Sequence, residues 1–444
     1  MSDADALMWS IEKDPMLRST ITTLLILDRP LDRAAFRDTM DRASRVIPRL
    51  RQRVRSSPLS VAPPRWEFDP NFDLDYHLRW VRAPEAGSRR RLLEMAAPLA
   101  MQGFDRARPL WEITVVNGLA RKHSAIIMKV HHAVTDGVGG VRMMLEMFDF
   151  ERDGNERGPM PAEPLVKVLS QPERFVDAAT HETRRFTESV RQSVGSTVSG
   201  IADPAGSIRR AGDNAASLAR FFNPVSSPLS PVMTGRSLSQ SFDTLDFSID
   251  ELKHAASAAG GRLNDAFVAG VTGGFRRYHE RHDAPVDALR MSMPINIRSE
   301  ADDTAGNHFV PARIEVPVAN ADPVERMTEI KARVDAARNE PFLSLSDQVS
   351  GLVNRLPTTL TTSLFGSMLR AVDFTASNVP GSPIPVYVAG GRLVEHLAFG
   401  PIVGGAANIT LLSLCDRVHV GFNMDPAAIP DPAPFMADMA AGFA

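Results

Sequence analysis

A single cysteine, Cys415, occurs in 444 residues. A lone thiol rules out an intrachain disulfide and leaves no thiolate cluster for zinc or an iron–sulfur centre, so a reducing compartment fits best. Long apolar runs are also missing. None approaches the roughly 20 residues needed to cross a bilayer, and pieces such as Thr22–Leu27 and Ile126–Met128 are strand-sized. Nor is there charge of one sign: 50 basic and 53 acidic residues give a formal net charge of -3, too little field to hold a nucleic-acid backbone. The stretch Met1–Asp14 carries acidic residues early and lacks the basic-then-apolar order of a secretory signal. No internal repeat or low-complexity tract is present. These absences point to a cytoplasmic protein that does not bind nucleic acid, with any membrane contact peripheral.

The material that is present can bury a sizeable core, with 43% hydrophobic and 23% charged residues. The length suggests two domains. Thr20–Leu27 is β-branched or leucine-rich and reads as a buried strand; Asp32 then opens a helix with Phe36, Met40, Ala43 and Ile47 on one face. Strand-like pieces follow at Tyr76–Val81, Glu112–Val116 and Ser124–Val130, with a helix over Arg89–Met101. The stretch 153–235 turns to proline, glycine, serine and arginine and reads as a partly helical interdomain connection. A second α/β unit begins at 236. Its signals are a strand Phe242–Phe247, a capping box from Ser248 and Glu251, and a stop at Gly260–Gly261. Asn264 is expected to cap the next helix, toward Arg277. Further strands are predicted at Leu289–Met293, Ala312–Val316, Ile409–Ser413 and Arg417–Asn423, with a helix opened by Asp322, Pro323 and Glu325.

The densest chemistry is His131-His132-Ala133-Val134-Thr135-Asp136-Gly137, directly after the apolar strand Ala125–Val130. An imidazole, with its pKa near neutrality, can take a proton from an alcohol and return it later. Adjacent strand residues face opposite ways, so the two histidines cannot share one pocket without a local twist, and their roles should differ. Asp136 precedes the glycines Gly137, Gly139 and Gly140 that lead into a helix through Met143, Met144 and Met147, so a structural ion pair is its expected duty. Taken alone, a histidine pair is more often a satisfied core pair or a metal site than a base.

The seven-residue pattern resembles the His-His-x-x-x-Asp-Gly signature of the coenzyme A-dependent acyltransferases related to chloramphenicol acetyltransferase and to nonribosomal peptide condensation domains. Other landmarks narrow the resemblance to the bacterial wax ester synthase/diacylglycerol acyltransferase family. They are, in order, Pro109-Leu110-Trp111-Glu112, Asn264-Asp265, Pro294-Ile295-Asn296-Ile297-Arg298, Gly306-Asn307, Ser377-Asn378-Val379-Pro380-Gly381 and Asn408-Ile409-Thr410. The stretch 400–408 departs from the family pattern, reading Gly404-Gly405 and Ala406-Ala407-Asn408.

The resemblance implies two chloramphenicol acetyltransferase-like domains, 1–152 and 236–444. Each would be a mixed α/β sheet with flanking helices, and a tunnel would run between them. It implies a long-chain acyl transfer from acyl-CoA to diacylglycerol or a long-chain alcohol, with His132 as general base, no acyl-enzyme, and no metal or other cofactor. Asn264 would help hold the oxyanion. Arg298 at the domain interface would pair with Asp136, while Asp265, Pro109, Leu110 and Trp111 support the site and Ser377 and Asn378 touch substrate. Trp111 reads foremost as a core anchor. The arginines of the connection, Arg184, Arg185, Arg191, Arg209, Arg210 and Arg220, suit a membrane or lipid-inclusion surface, but interspersed acidic residues favour a solvated face. A carrier-bound acyl donor, a silent lipid-binding protein and a metallohydrolase using His131, His132 and Asp136 remain as alternatives.

Overall fold

Apolar runs become the central strands and capped amphipathic segments become the helices of this computed structural model. It describes residues 1–56, 63–134, 140, 143–154, 157–181, 183, 184, 187, 209, 212, 227–296, 309–340 and 358–444. The labelled elements are, along the chain, α1 (Asp3–Ile11), β1 (Thr20–Leu27), α2 (Arg33–Val46), β2 (Gln52–Arg55), β3 (Arg65–Phe68), α3 (Leu74–His77), β4 (Leu78–Gly87), α4 (Arg89–Met101), β5 (Trp111–Leu119) and β6 (Ser124–His131). After the connection come β7 (Ser241–Ser248), α5 (Ile249–Ala258), α6 (Leu263–Arg281), β8 (Ala288–Asn296), β9 (Phe309–Pro317), α7 (Pro323–Arg338) and α8 (Thr358–Arg370). The chain ends with β10 (Phe374–Ser382), β11 (Tyr387–Val388), β12 (Gly391–Phe399), β13 (Ala407–Leu414), β14 (Arg417–Met424) and α9 (Pro432–Phe443).

The expected local signals mostly act where they stand. Asp32 accepts the Ala35 N–H at 2.8 Å and starts α2, which buries Phe36, Met40 and Ala43. Asp322 does the same for α7 through Val324 and Glu325. Ser248 caps α5, and Gly260, at φ +63°, closes it. Two readings need correction. Tyr76 and His77 end the short helix α3, and the strand begins only at Leu78. Asn264 is not a cap: α6 starts one residue earlier, Arg262 is the boundary residue, and Asp265 turns back to accept the Arg262 N–H at 2.8 Å.

The described strands form two six-stranded mixed sheets, β11-β12-β1-β6-β5-β4 and β7-β14-β13-β10-β8-β9, and a β2-β3 ribbon. All eight residues of β6 and seven of the eight in β1 are buried, as expected of strands covered on both faces. In the second half, Phe267 and Phe275 on α6 and Phe435 on α9 pack with Phe374 and Phe422 of the sheet. Helices α6 and α9 approach so closely that a Cβ on Gly270 or Gly274 would enter the Phe443 ring or Met439.

The predicted limits 1–152 and 236–444 mark segments of chain, and the sheets do not respect them. Strands β11 and β12 come from the second range yet complete the first sheet, with β12 pairing antiparallel to β1 from Thr22↔Phe399 to Leu27↔Leu393. The connection is likewise tied down at its described ends. Arg45 donates to Pro161 O at 2.9 Å and Arg65 meets Asp177 at 2.7 Å. At the far end, the buried Asp373 carboxylate accepts the N–H groups of Leu229, Ser230 and Arg290.

The halves meet along β12 and β14. Arg89 on α4 bridges Asp246 on β7 (2.7 Å) and Glu395 on β12 (2.6 Å), and His419 Nδ1 lies 2.7 Å from the same Asp246. Phe242 stacks on Phe399 with centroids 4.1 Å apart. Burial and the neighbouring His419 push His396 down to about 3, so this ring is neutral. Gly421 abuts the Ala398 carbonyl, and any side chain there would collide with β12.

Candidate active site

The two histidines stand where β6 runs out. Their backbones are held from both sides: the His131 N–H donates to Leu110 O at 3.0 Å, and the His132 N–H donates to Ser19 O at 2.7 Å. The Val134 N–H then turns back to His131 O at 2.9 Å. The last rung of the sheet therefore anchors the turn, with Leu110 before β5 on one side and Ser19 before β1 on the other.

Strand alternation puts the two histidines on different faces, and the His131 ring is closely surrounded. His131 is buried beside α1, with Trp9 of that helix and Phe104 edge-on at 5.7 and 6.2 Å. Its Nδ1 accepts the Ala133 N–H at 2.9 Å, so Nε2 carries the ring proton, and Nε2 lies 2.8 Å from Glu12 Oε1. Nδ1 of His131 is thus hydrogen-bonded, and Nε2 is in close contact with Glu12 without the alignment of a hydrogen bond. Glu12 also accepts the Ser19 N–H at 2.6 Å. Burial alone would raise the Glu12 carboxyl, but His131, the Ser19 amide and the Arg106 guanidinium outweigh it and hold it below its ordinary value. His132 is half-buried, in the turn beyond the strand.

The motif Pro109-Leu110-Trp111 meets the histidines directly. Leu110 supplies the carbonyl for His131, while Trp111, fully buried, donates its Nε1–H to Leu50 O at 2.8 Å and stacks on His77 at 4.4 Å. Next to it, Glu112 pairs with Arg79 (2.8 Å) and Lys129 (3.2 Å). Asp265 supports α6 as described, and the part-buried Asn264 sits in that helix's first turn with Nδ2 4.0 Å from Met293 Sδ.

Ser377 and Asn378, expected as a pair, diverge. Ser377 is level with Thr410 and lies on the face opposite the Phe374, Ala376 and Ile409 core, whereas Asn378 takes the other side and is exposed. On the Ser377 face, Thr410 donates to Asn408 Oδ1 at 2.8 Å, and Asn408 donates to Pro401 O at 2.9 Å. Asp136, Gly137 and Arg298 lie outside the described residues, as do Gly306-Asn307 and Arg185, Arg191, Arg210 and Arg220 of the connection. The expected tunnel is not defined by the described residues. They do outline a cleft of about 30 Å3 between the halves, lined in part by Met16, Arg18, Met101, Leu238 and Val403, with room for about one water.

Sequence reasoning missed Glu12, Ser19 and Trp9. No spacing rule links an N-terminal helix end to a distant strand end, and only the acidic cluster ending in Asp14 gave a faint signal. Cys415 is a poor nucleophile in place as well as in sequence, because burial pushes its thiol up from the ordinary value. Among the described residues no three His, Cys, Asp or Glu side chains gather in a metal-binding arrangement, and no helix is long and apolar enough to cross a membrane.

Comparison with known proteins now has a geometry to stand on. Residues 1–267 match the wax ester synthase/diacylglycerol acyltransferase catalytic domain, and residues 305–444 match the C-terminal domain of the same family. A Mycobacterium tuberculosis protein provisionally named a diacylglycerol O-acyltransferase is 34% identical over 100% of this chain and 90% of its own length. A second from that organism, likewise provisionally named, is 26% identical over 93% of this chain and 87% of its own. Among solved structures, the wax ester synthase/diacylglycerol acyltransferase of Marinobacter aquaeolei VT8 superposes with a TM-score of 0.65 at 20% identity, covering 99% of this chain and 96% of that one. The first condensation domain of the calcium-dependent antibiotic synthetase gives 0.61 at 17%, covering 100% and 96%. The two-domain fold is therefore the one expected, and with both family domains matched in order this chain belongs to the wax ester synthase/diacylglycerol acyltransferase family of acyltransferase enzymes.

Proposed function

We propose that the enzyme moves a long-chain acyl group from acyl-CoA to the hydroxyl of diacylglycerol, a long-chain alcohol or both, with His132 as general base. One observation carries the assignment. The Ala133 N–H and Glu12 face the two ring nitrogens of His131 in a buried pocket, whereas His132 is half-buried beyond the strand on a backbone held by Ser19. His132 takes the hydroxyl proton as oxygen attacks the thioester carbonyl, and the coenzyme A thiolate leaves with a proton. Asn264, a carboxamide in the first turn of α6, is assigned to the oxyanion, and Asp136 with Arg298 to an ion pair that supports the turn.

No acyl-enzyme is needed, because the thioester is already activated and the Cys415 thiol is raised. No metal or redox cofactor enters this chemistry. Since both substrates carry apolar tails, the protein would work on the cytoplasmic side against a membrane or lipid-inclusion surface, in peripheral contact. The likeness in fold to condensation domains favours a second reading, with a carrier-bound donor.

One panel separates the two readings: palmitoyl-CoA against an acylated carrier protein, each with diacylglycerol and hexadecanol. Ester formation from palmitoyl-CoA supports the proposal, and turnover from the carrier alone overturns it. His132→Ala should lower kcat by about 10²- to 10⁴-fold, and a variant that esterifies at the wild-type rate removes His132 as base.

A further inference from the structure

We propose that Glu12 is a positioning residue for this reaction, fixing the turn that carries His132 through His131 and Ser19. The inference rests on the reading of His132 as the base. Glu12 sits immediately after α1, and its Oε1 accepts the Ser19 N–H at 2.6 Å and lies 2.8 Å from Nε2 of the His131 ring. Ser19 passes the constraint on, because its carbonyl takes the His132 N–H at 2.7 Å. His131 passes it on from the other side, since it is the preceding residue and its Nδ1 holds the Ala133 N–H at 2.9 Å. A closed loop of contacts thus runs from Glu12 through Ser19, His132 and His131 back to Glu12. The peptide N–H groups of His132 and Ala133, on either side of the base's Cα, are both fixed by partners of this one carboxylate.

The Ala133 N–H points at Nδ1 of His131, which leaves Nε2 as the nitrogen that faces Glu12. Trp9 and Phe104 leave the ring little freedom to rotate, and Arg106 lies over the Trp9 ring at 4.2 Å, close enough to balance the carboxylate. Glu12 therefore does more than solvate a buried histidine: it selects the tautomer whose other nitrogen grips the turn. The segment that follows it also touches the C-terminal half, where Asp14 meets Arg370 at 3.0 Å. Glu12 is placed to act on orientation and not on substrate affinity.

The test uses the full chain with palmitoyl-CoA and diacylglycerol, comparing Glu12→Ala, Glu12→Gln, His131→Ala and the Glu12→Ala/His131→Ala double variant. Misplacing a base lowers the chemical step, so Glu12→Ala should lose about tenfold or more in kcat with KM for both substrates within about twofold. Glu12→Gln should return to within about threefold of wild type, since an amide oxygen still accepts the Ser19 N–H and can face the His131 ring. The double variant should fall no more than about twofold below the worse single variant, because both act on one turn. Wild-type kcat in Glu12→Ala, a Gln variant as impaired as Ala, or multiplying losses in the double variant would each overturn the inference.

Ring-nitrogen NMR of histidine-labelled protein reads the same geometry without turnover and covers a poorly folding Ala variant. His132 signals unmoved in Glu12→Gln but displaced in His131→Ala support the role, and signals unmoved in His131→Ala reject it. Should the wild type esterify nothing, the functional reading fails while these spectra still decide the role of Glu12.

Discussion

Replacing Asp246 with Asn is expected to cost about 2 kcal/mol at pH 7, because that carboxylate holds the seam between the two halves. Burial by itself would raise its pKa. His419 at 2.7 Å and Arg89 at 2.7 Å outweigh burial and bring it to about 2, against 3.8 when exposed. A folded-state pKa lowered by that amount corresponds to about 2 kcal/mol favouring the folded chain wherever the group is ionised in both states. The sign follows from the direction of the shift: the contribution is complete above the unfolded pKa and disappears as pH falls through the folded one. About half should survive at pH 3. Urea unfolding of wild type and Asp246→Asn, followed by circular dichroism at pH 7 and pH 3, measures this as a stability gap that roughly halves between the two. An absent gap at pH 7, or one of equal size at both, would show that the seam does not draw on this charge.

Gly421→Val places a side chain against the Ala398 carbonyl of β12 and should lower stability by about 2 kcal/mol or more, since neither sheet can retreat without losing its partner. Thermal unfolding checks it, and an unchanged midpoint would mean that the seam yields. A fragment ending at residue 152 should fail to stay monomeric, because removing β12 uncovers β1 along the ladder from Thr22 to Leu27. Size-exclusion chromatography reads the outcome, and a monomer with native strand content would contradict it.

The limits of reading this chain from sequence have physical causes. β1 and β6 were legible because strands buried on both faces must be apolar throughout, and α2, α5 and α7 because their caps are local chemistry. The histidine motif was legible for the same reason, since strand, turn and imidazole are consecutive. What escaped was everything set by distant partners. The pairing of β12 with β1 brings together residues from opposite ends of the chain, and nothing in Gly391–Phe399 marks which sheet it joins. Asn264 was misread as a cap because asparagine suits that position, yet Asp265 one residue later makes the reciprocal bond. Ser377 and Asn378 were grouped as neighbours in sequence although a strand sends them to opposite faces.

The position of the histidine pair also bears on which chemistry the site can support. A catalytic base has opposed needs, a backbone that does not move and a ring that a substrate can reach. Within a strand the first is met and the second is lost, as His131 shows, sealed between Trp9 and Phe104. In a free loop the reverse holds. One residue past the strand, the half-buried His132 keeps a sheet-like anchor through Ser19. A metal site made from the same pair would need a nitrogen of His131, and releasing one would break either the Ala133 contact or the Glu12 contact that shapes the turn. The pair is therefore held unequally, the His131 ring set between the Ala133 N–H and Glu12 and His132 anchored at its backbone by Ser19.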